Sequence, residues 1–240
     1  MSDFLQDMAA RSAERAATVG DIPASALDAA CVPLRLGQFD VIAEIKDRSP
    51  AEGGLAEENA DRSERARQYV AGGAAAISVL TEPSRFDGSL EHLEEVVAAV
   101  PGSPVMRKDF LVDPIQILEA KQAGASGVLL IVTMLDNGAL RTMLDCAAEH
   151  GLFVLLESFD EPDLARSTRL LDNSADQQRA ERGELLFGVN TQPTSGSQES
   201  SVQNSPSLQL IAFPPSQFPS LQLSNWVQGL PSSHPWKLKE

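Results

Sequence analysis

Between residues 40 and 190 one pattern recurs, and it narrows the possible folds more than any other feature of the chain. Short apolar runs stand at 41–45 (VIAEI), 74–80 (AAAISVL), 104–108 (PVMRK), 127–132 (GVLLIV), 153–157 (FVLLE) and 185–190 (LLFGVN). They are rich in Val, Ile and Leu, as strands covered on both faces must be. Helical segments alternate with them. In 113–122 (DPIQILEAKQ), Asp113 is placed to cap, Pro114 suits the first turn, and Ile117, Leu118 and Ala120 contribute to an apolar stripe. Asp136 and Asp160 are expected to cap helices at about 138–149 and 161–171. Gly72-Gly73, Gly124, Gly151 and Gly183 each fall just before an apolar run, where a left-handed helix terminus is expected.

Alternating β and α segments over this length mean a parallel sheet, either doubly wound or closed as a barrel. No Gly-rich dinucleotide fingerprint follows the first apolar run. A Rossmann-type reading therefore loses its main support, and an α/β barrel is favoured.

The pattern stops near residue 191. Residues 192–240 are rich in Ser, Pro and Gln, and their charged residues are Glu199, Lys237, Lys239 and Glu240 alone. Prolines such as Pro206, Pro214, Pro215 and Pro219 interrupt any run that begins. Two regions follow: an α/β domain over 1–191 and a low-complexity tail over 192–240. The tail reads as sequence unable to offset its own ordering entropy by burial.

Charge and cysteine content exclude several functions. The formal net charge of −15 argues against nucleic-acid or anionic-membrane partners. No run approaches the roughly 18 apolar residues of a membrane span, and the charged N-terminus lacks the apolar core of a secretory signal. Cys31 and Cys146 supply neither a disulfide framework nor a metal-ligand spacing, so a cytoplasmic location is expected. His92, His150 and His234 are scattered, and no metal site is expected.

The polar residues that end the apolar runs are the chemical signal. Glu44 and Lys46 are two apart and share a face, as do Lys108 and Phe110. Glu157 and Asn190 end two later runs. In a parallel barrel, chemistry is placed at the C-terminal rim, so two lysines, two glutamates and an amide converge on one mouth. Taken singly, each has a bland reading: Glu44 with Lys46 as a structural ion pair, Lys108 with Arg107 and Asp109 as a solvated charge cluster, Asn190 as a strand end. Glu157 resists such a reading, because an acid directly after an apolar strand is costly unless paired or used.

VIAEIKDRSP, ISVLTEPSRFDGS and PVMRKDFLVDPIQILEAKQAGASGVLLIV, followed by LFVLLES and LLFGVN, closely resemble the indole-3-glycerol phosphate synthase family. The likeness runs from about residue 34 to Thr191. It implies a TIM (β/α)8 barrel and, without a cofactor, conversion of 1-(2-carboxyphenylamino)-1-deoxyribulose 5-phosphate to indole-3-glycerol phosphate with loss of CO2 and water. The partner so implied is a small phosphorylated molecule. By resemblance, Lys108 is the general acid of ring closure, Glu157 the base of the later dehydration, and Lys46 the lysine that engages the substrate carboxylate. Glu44 and Asn190 match positions that orient the site, Ser49 a phosphate contact, Pro50 the same loop, and Phe86 and Phe110 apolar contacts to the aromatic ring.

Departures from the family pattern are equally informative. After GVN the chain has Gln192-Pro193-Thr194 where the family has an Arg-Asp-Leu run, and the segments for strands seven and eight are missing. Six βα units are recognisable, so the barrel is expected to be incomplete, with open edges at its first and last strands. A shifted reading frame accounts for the loss of resemblance and of charge at one point. The alternative reading for such a chain is an inactive remnant or a noncatalytic binder of a phosphorylated ligand.

Overall fold

The structure, a computed structural model, describes residues 2–37, 39–49, 53–54 and 61–190. Pro50, most of the loop after it, and the Ser/Pro/Gln-rich tail over 192–240 lie outside the described residues.

In chain order the elements are α1 (Asp3–Ala16), β1 (Ile42–Ile45), β2 (Arg48–Ser49), β3 (Gly53–Gly54), α2 (Arg62–Ala71), β4 (Ala76–Leu80), α3 (Pro83–Phe86) and α4 (Leu90–Ala99). They continue as β5 (Val105–Lys108), α5 (Pro114–Gln122), β6 (Gly127–Ile131), α6 (Asn137–Glu149), β7 (Phe153–Ser158), α7 (Glu161–Thr168), α8 (Ser174–Glu181) and β8 (Leu185–Val189). All six apolar runs form strands, each within a residue or two of its expected limits.

These six strands make one parallel sheet in the order β1-β4-β5-β6-β7-β8, curled into a half-barrel. Each new strand joins the one before it through a helical crossover, as a parallel pair requires. Among the described residues β1 and β8 each have one strand neighbour, so six units leave an eight-stranded barrel incomplete, as expected from the sequence. A separate antiparallel pair, β2 with β3, sets Ser49 opposite Gly53 just beyond β1.

The sheet has an apolar cluster on each side. Ile77, Val79, Val128, Leu130, Val154 and Leu156 face the helices. Ile42, Met106, Leu129, Phe153, Leu155 and Leu186 face the concave side, where α1 adds Leu5 and Met8. No helix among the described residues is long and apolar enough to cross a membrane.

The local signals work as read. Asp113 caps α5 in a reciprocal capping box with Gln116, Asp136 caps α6, and Asp160 caps α7. Gly73, Gly124, Gly151 and Gly183 take positive φ angles of 89°, 84°, 71° and 75°. That conformation reverses the chain after a helix and returns it to the sheet at little steric cost. Two details differ from expectation. In α5 it is Gln116 and Lys121 that are buried beside Ile117 and Ala120, while Leu118 is only half-buried. The helix expected over 161–171 ends at Thr168 and gives way to a 3₁₀ turn at Arg169–Asp172, after which α8 forms on a cap from Asn173.

Candidate active site

Glu44, Lys108 and Glu157 leave the C-terminal ends of β1, β5 and β7 on the concave side. The pleat puts them there, because each lies an even number of residues from a concave-side core residue: Ile42, Met106 and Leu155 respectively. The expected convergence on one mouth is therefore present. Glu44 is buried, at 6% exposure, and both of its oxygens are engaged by lysines. The Lys108 ammonium pairs with Oε2, and Lys46 Nζ lies 3.6 Å from Oε1. β4 runs between β1 and β5, and the residue level with Glu44 on β4 is Ser78, whose small side chain leaves room for Lys108 to reach across.

Glu157 is equally buried, at 6% exposure. Burial pushes its carboxyl above the ordinary carboxylate range; the Lys108 ammonium and a hydrogen bond from the Asn190 side chain oppose that rise, and the Glu44 charge adds to it. Asn190 is held in position by its backbone N–H, which donates to the Ser158 carbonyl at 2.9 Å. The four groups thus form one electrostatic unit in which a cation sits between two acids.

An aromatic wall adjoins it. Phe110, two residues past Lys108, is buried, with its ring centroid 6.1 Å from that of Phe86. Phe4 of α1 meets Phe110 edge-on at 5.8 Å. Nothing in the sequence pattern singled out Phe4, because α1 is brought to the sheet only by tertiary packing.

Arg107 and Asp109 are not a solvated cluster around Lys108. Both are buried, at 3% and 2% exposure, and they point away from the mouth. Asp109 accepts from Thr81 Oγ1 at 2.9 Å, from Arg107 Nη2 at 3.1 Å and from Arg15 Nη2 at 2.6 Å. It also accepts from the backbone N–H of Phe110 at 2.8 Å. Arg107 reaches the Gln116 carbonyl at 2.9 Å, tying β5 to α5. Glu82, fully buried, caps α3 through the N–H groups of Ser84 and Arg85 and lies 3.5 Å from Arg15 Nη1. Arg15 therefore joins the strand end that bears Lys108 and Phe110 to the short helix that bears Phe86. Sequence reasoning missed Arg15, and the signal that points to it is the pair of buried acids, Glu82 and Asp109, at the ends of β4 and β5.

Lys46 has its own anchor. The next residue, Asp47, accepts from Arg62 Nε at 2.8 Å and Arg65 Nη2 at 2.9 Å, which fastens the end of β1 to α2. Ser49 stands in β2, three residues beyond Lys46, and Pro50 lies outside the described residues.

The indole-3-glycerol phosphate synthase family model matches residues 25–173. The chain belongs to that family. An indole-3-glycerol phosphate synthase of Nocardioides sp. is 53% identical over 136 residues, covering 57% of this chain and 52% of that protein. One from Salinibacter ruber is 48% identical over 123 residues, covering 51% and 45%. A third, from Rhodococcus opacus, is 43% identical over 190 residues, covering 77% and 64%. The chain thus spans about half to two thirds of the length of these relatives. Lys46, Lys108 and Glu157 fall inside the segment matched by the indole-3-glycerol phosphate synthase model, whereas Phe4 and Arg15 precede it and Asn190 follows it.

Proposed function

We propose that the concave mouth performs the indole-forming ring closure of the family, acting on 1-(2-carboxyphenylamino)-1-deoxyribulose 5-phosphate in the cytoplasm. The observation that carries this reading is the placement of Lys108 between Glu44 and Glu157, with an aromatic wall beside them. Ring closure needs a proton at the ketose carbonyl as the ring carbon attacks it. Lys108 supplies that proton, and Glu44 orients the ammonium. Attack interrupts the aromaticity of the ring. Loss of the carboxylate as CO2 returns the bonding electrons, and departure of the new hydroxyl as water completes the indole.

Glu157 takes up the proton of the dehydration step. Its proton affinity, raised by burial above that of an ordinary carboxylate, suits a group that must take up a proton and later give it back. Lys46 neutralises the substrate carboxylate until it leaves, Asn190 orients Glu157, and Phe86 with Phe110 covers the ring. Ser49 and Pro50 belong to the loop that meets the phosphate. No step calls for a cofactor. In this reading residues 1–191 carry the catalytic half-barrel, and 192–240 add no group to the reaction.

The test is turnover of the anilino-ribulose phosphate by the purified 240-residue chain, followed by indole fluorescence, with Glu157→Gln prepared in parallel. Turnover that vanishes in the variant supports the proposal. No turnover at substrate levels that saturate the family's enzymes overturns it in favour of a noncatalytic chain, the reading favoured by the six-stranded sheet.

A further inference from the structure

Far from the mouth, under the N-terminal ends of β6 and β7, a buried lysine meets a thiol. Lys121, in the last turn of α5, is 5% exposed, and its Nζ donates to Cys31 Sγ at 3.0 Å. Lysines this buried are ordinarily paired with a carboxylate. Here the thiol is the one hydrogen-bond partner of Nζ among the described residues. The loop that carries Cys31 is tightly placed. The thiol lies 3.7 Å from the Ala125 carbonyl and 3.6 Å from that of His150, and the next residue, Val32, donates its N–H to Ser126 Oγ at 3.0 Å. Cys31 itself is only partly buried, so a small oxidant can reach it.

We propose that Cys31 and Lys121 form a redox-sensitive covalent latch, a sulfur–nitrogen bond made when a hydroperoxide oxidises the thiol. Sulfenic acids condense with nearby nitrogen nucleophiles to sulfenamides, and a thiol or another reductant reverses the link. In the first step the peroxide O–O bond breaks, the sulfur loses two electrons to become Cys31–SOH, and the peroxide leaves as alcohol or water. In the second, the Lys121 ammonium first releases one proton to solvent, and the Nζ lone pair so freed attacks the sulfur as the S–O bond breaks. The departing hydroxide takes one of the two remaining amine protons and leaves as water, so the nitrogen keeps one hydrogen in the sulfenamide. No large movement is required, because Nζ already lies in contact with the sulfur. The product ties the loop between α1 and β1 to the end of α5, across residues distant in sequence.

Cys146 is the internal control. It is half-buried on α6, its thiol is pushed up to about 11 by burial and by the Glu149 and Asp113 charges, and among the described residues it donates to the Pro114 carbonyl and meets no lysine.

The experiment is titration of the purified chain with hydrogen peroxide, alkylation of free thiols, proteolysis without reductant, and peptide mapping by mass spectrometry. The expected product is a linked pair of peptides containing Cys31 and Lys121, lighter than the free pair by two hydrogens and separated again by dithiothreitol. Lys121→Arg keeps the positive charge without the amine, and is expected to abolish the link and leave Cys31 as sulfenic or higher acid. A wild-type chain in which Cys31 becomes sulfinic or sulfonic acid while Lys121 stays free overturns the proposal. So does a Cys31–Cys146 disulfide, or a Cys31 that peroxide leaves untouched.

Discussion

The Lys108 ammonium crosses over β4 to pair with the Glu44 carboxylate, so a group from β5 and a group from β1 are joined on the concave side of the sheet. Neither side chain is placed by its own strand alone. The curl of the sheet brings their strand ends together, and the same curl sets Glu157 of β7 within electrostatic reach of both.

Replacing Lys108 by Met removes the proposed acid and one cation that holds Glu157 down. Turnover is expected to fall by about 10²- to 10⁴-fold, the usual contribution of a general acid. Independently of turnover, the proton affinity of Glu157 rises in the variant, because Lys108 is the largest influence lowering it. Titration of the carboxyl carbon by NMR measures this, and an unchanged Glu157 midpoint contradicts the electrostatic unit described above.

The raised Glu157 gives stability a definite pH slope. Above the ordinary carboxylate range and up to its own folded value, the folded chain retains a proton that the unfolded chain has released. Stability from this group therefore falls as pH rises through that window. Glu157→Gln has no such proton to lose. Its urea midpoint is expected to gain on the wild type as pH rises from the ordinary carboxylate range until the buried Glu157 has ionised, and parallel curves for the two proteins exclude the effect.

Arg15→Ala withdraws a guanidinium from two buried acids, Asp109 and Glu82. Arg107 remains to meet Asp109, so the loss is partial. A destabilisation of about 2 kcal/mol is expected from the charged hydrogen bond, read from the urea midpoint. A cost within error of zero means that α1 is not held by this contact.

Gly88 and Gly102 make a matched pair. A Cβ on Gly88 would stand 2.5 Å from the Leu80 carbonyl oxygen and 2.7 Å from the Thr81 carbonyl carbon, backbone atoms that cannot swing aside. Gly102 has nothing within 4 Å. Gly88→Ala is expected to cost about 3 kcal/mol, and Gly102→Ala less than about 0.5 kcal/mol. Equal midpoints for the two variants rule out the close approach at the β4–α3 turn.

Cys146 is expected to resist thiol reagents. A thiol titrating at about 11 holds roughly a hundredfold less thiolate at pH 8 than a free cysteine. Labelling in the folded chain is expected to be slower by about that factor than in urea, measured by a disulfide-exchange dye on Cys31→Ser.

The strands, the caps and the strand-end acids were legible because each depends on a few adjacent residues. Asp113, Asp136 and Asp160 cap as read, and the apolar runs fall where the strands form. Arg15, Phe4 and the Cys31–Lys121 contact were not legible, since each joins segments far apart in the chain whose approach no local pattern encodes. Arg107 and Asp109 misled for a related reason. Charged residues beside Lys108 look exposed in sequence, and only the network of Thr81, Gln116 and Arg15 makes their burial tolerable.

Within the six-stranded sheet the strands lie side by side in chain order, with β2 and β3 set apart as their own pair. During synthesis each strand therefore emerges to find its neighbour already made, and the sheet is laid down from one side. Glu44, Lys108 and Glu157 arrive in that sequence, and Asn190, the donor that restrains Glu157, comes after all of them. A growing chain halted before β8 would hold both acids and the lysine at the mouth but leave Glu157 without the amide that moderates its proton. The electrostatics of the mouth are tuned last.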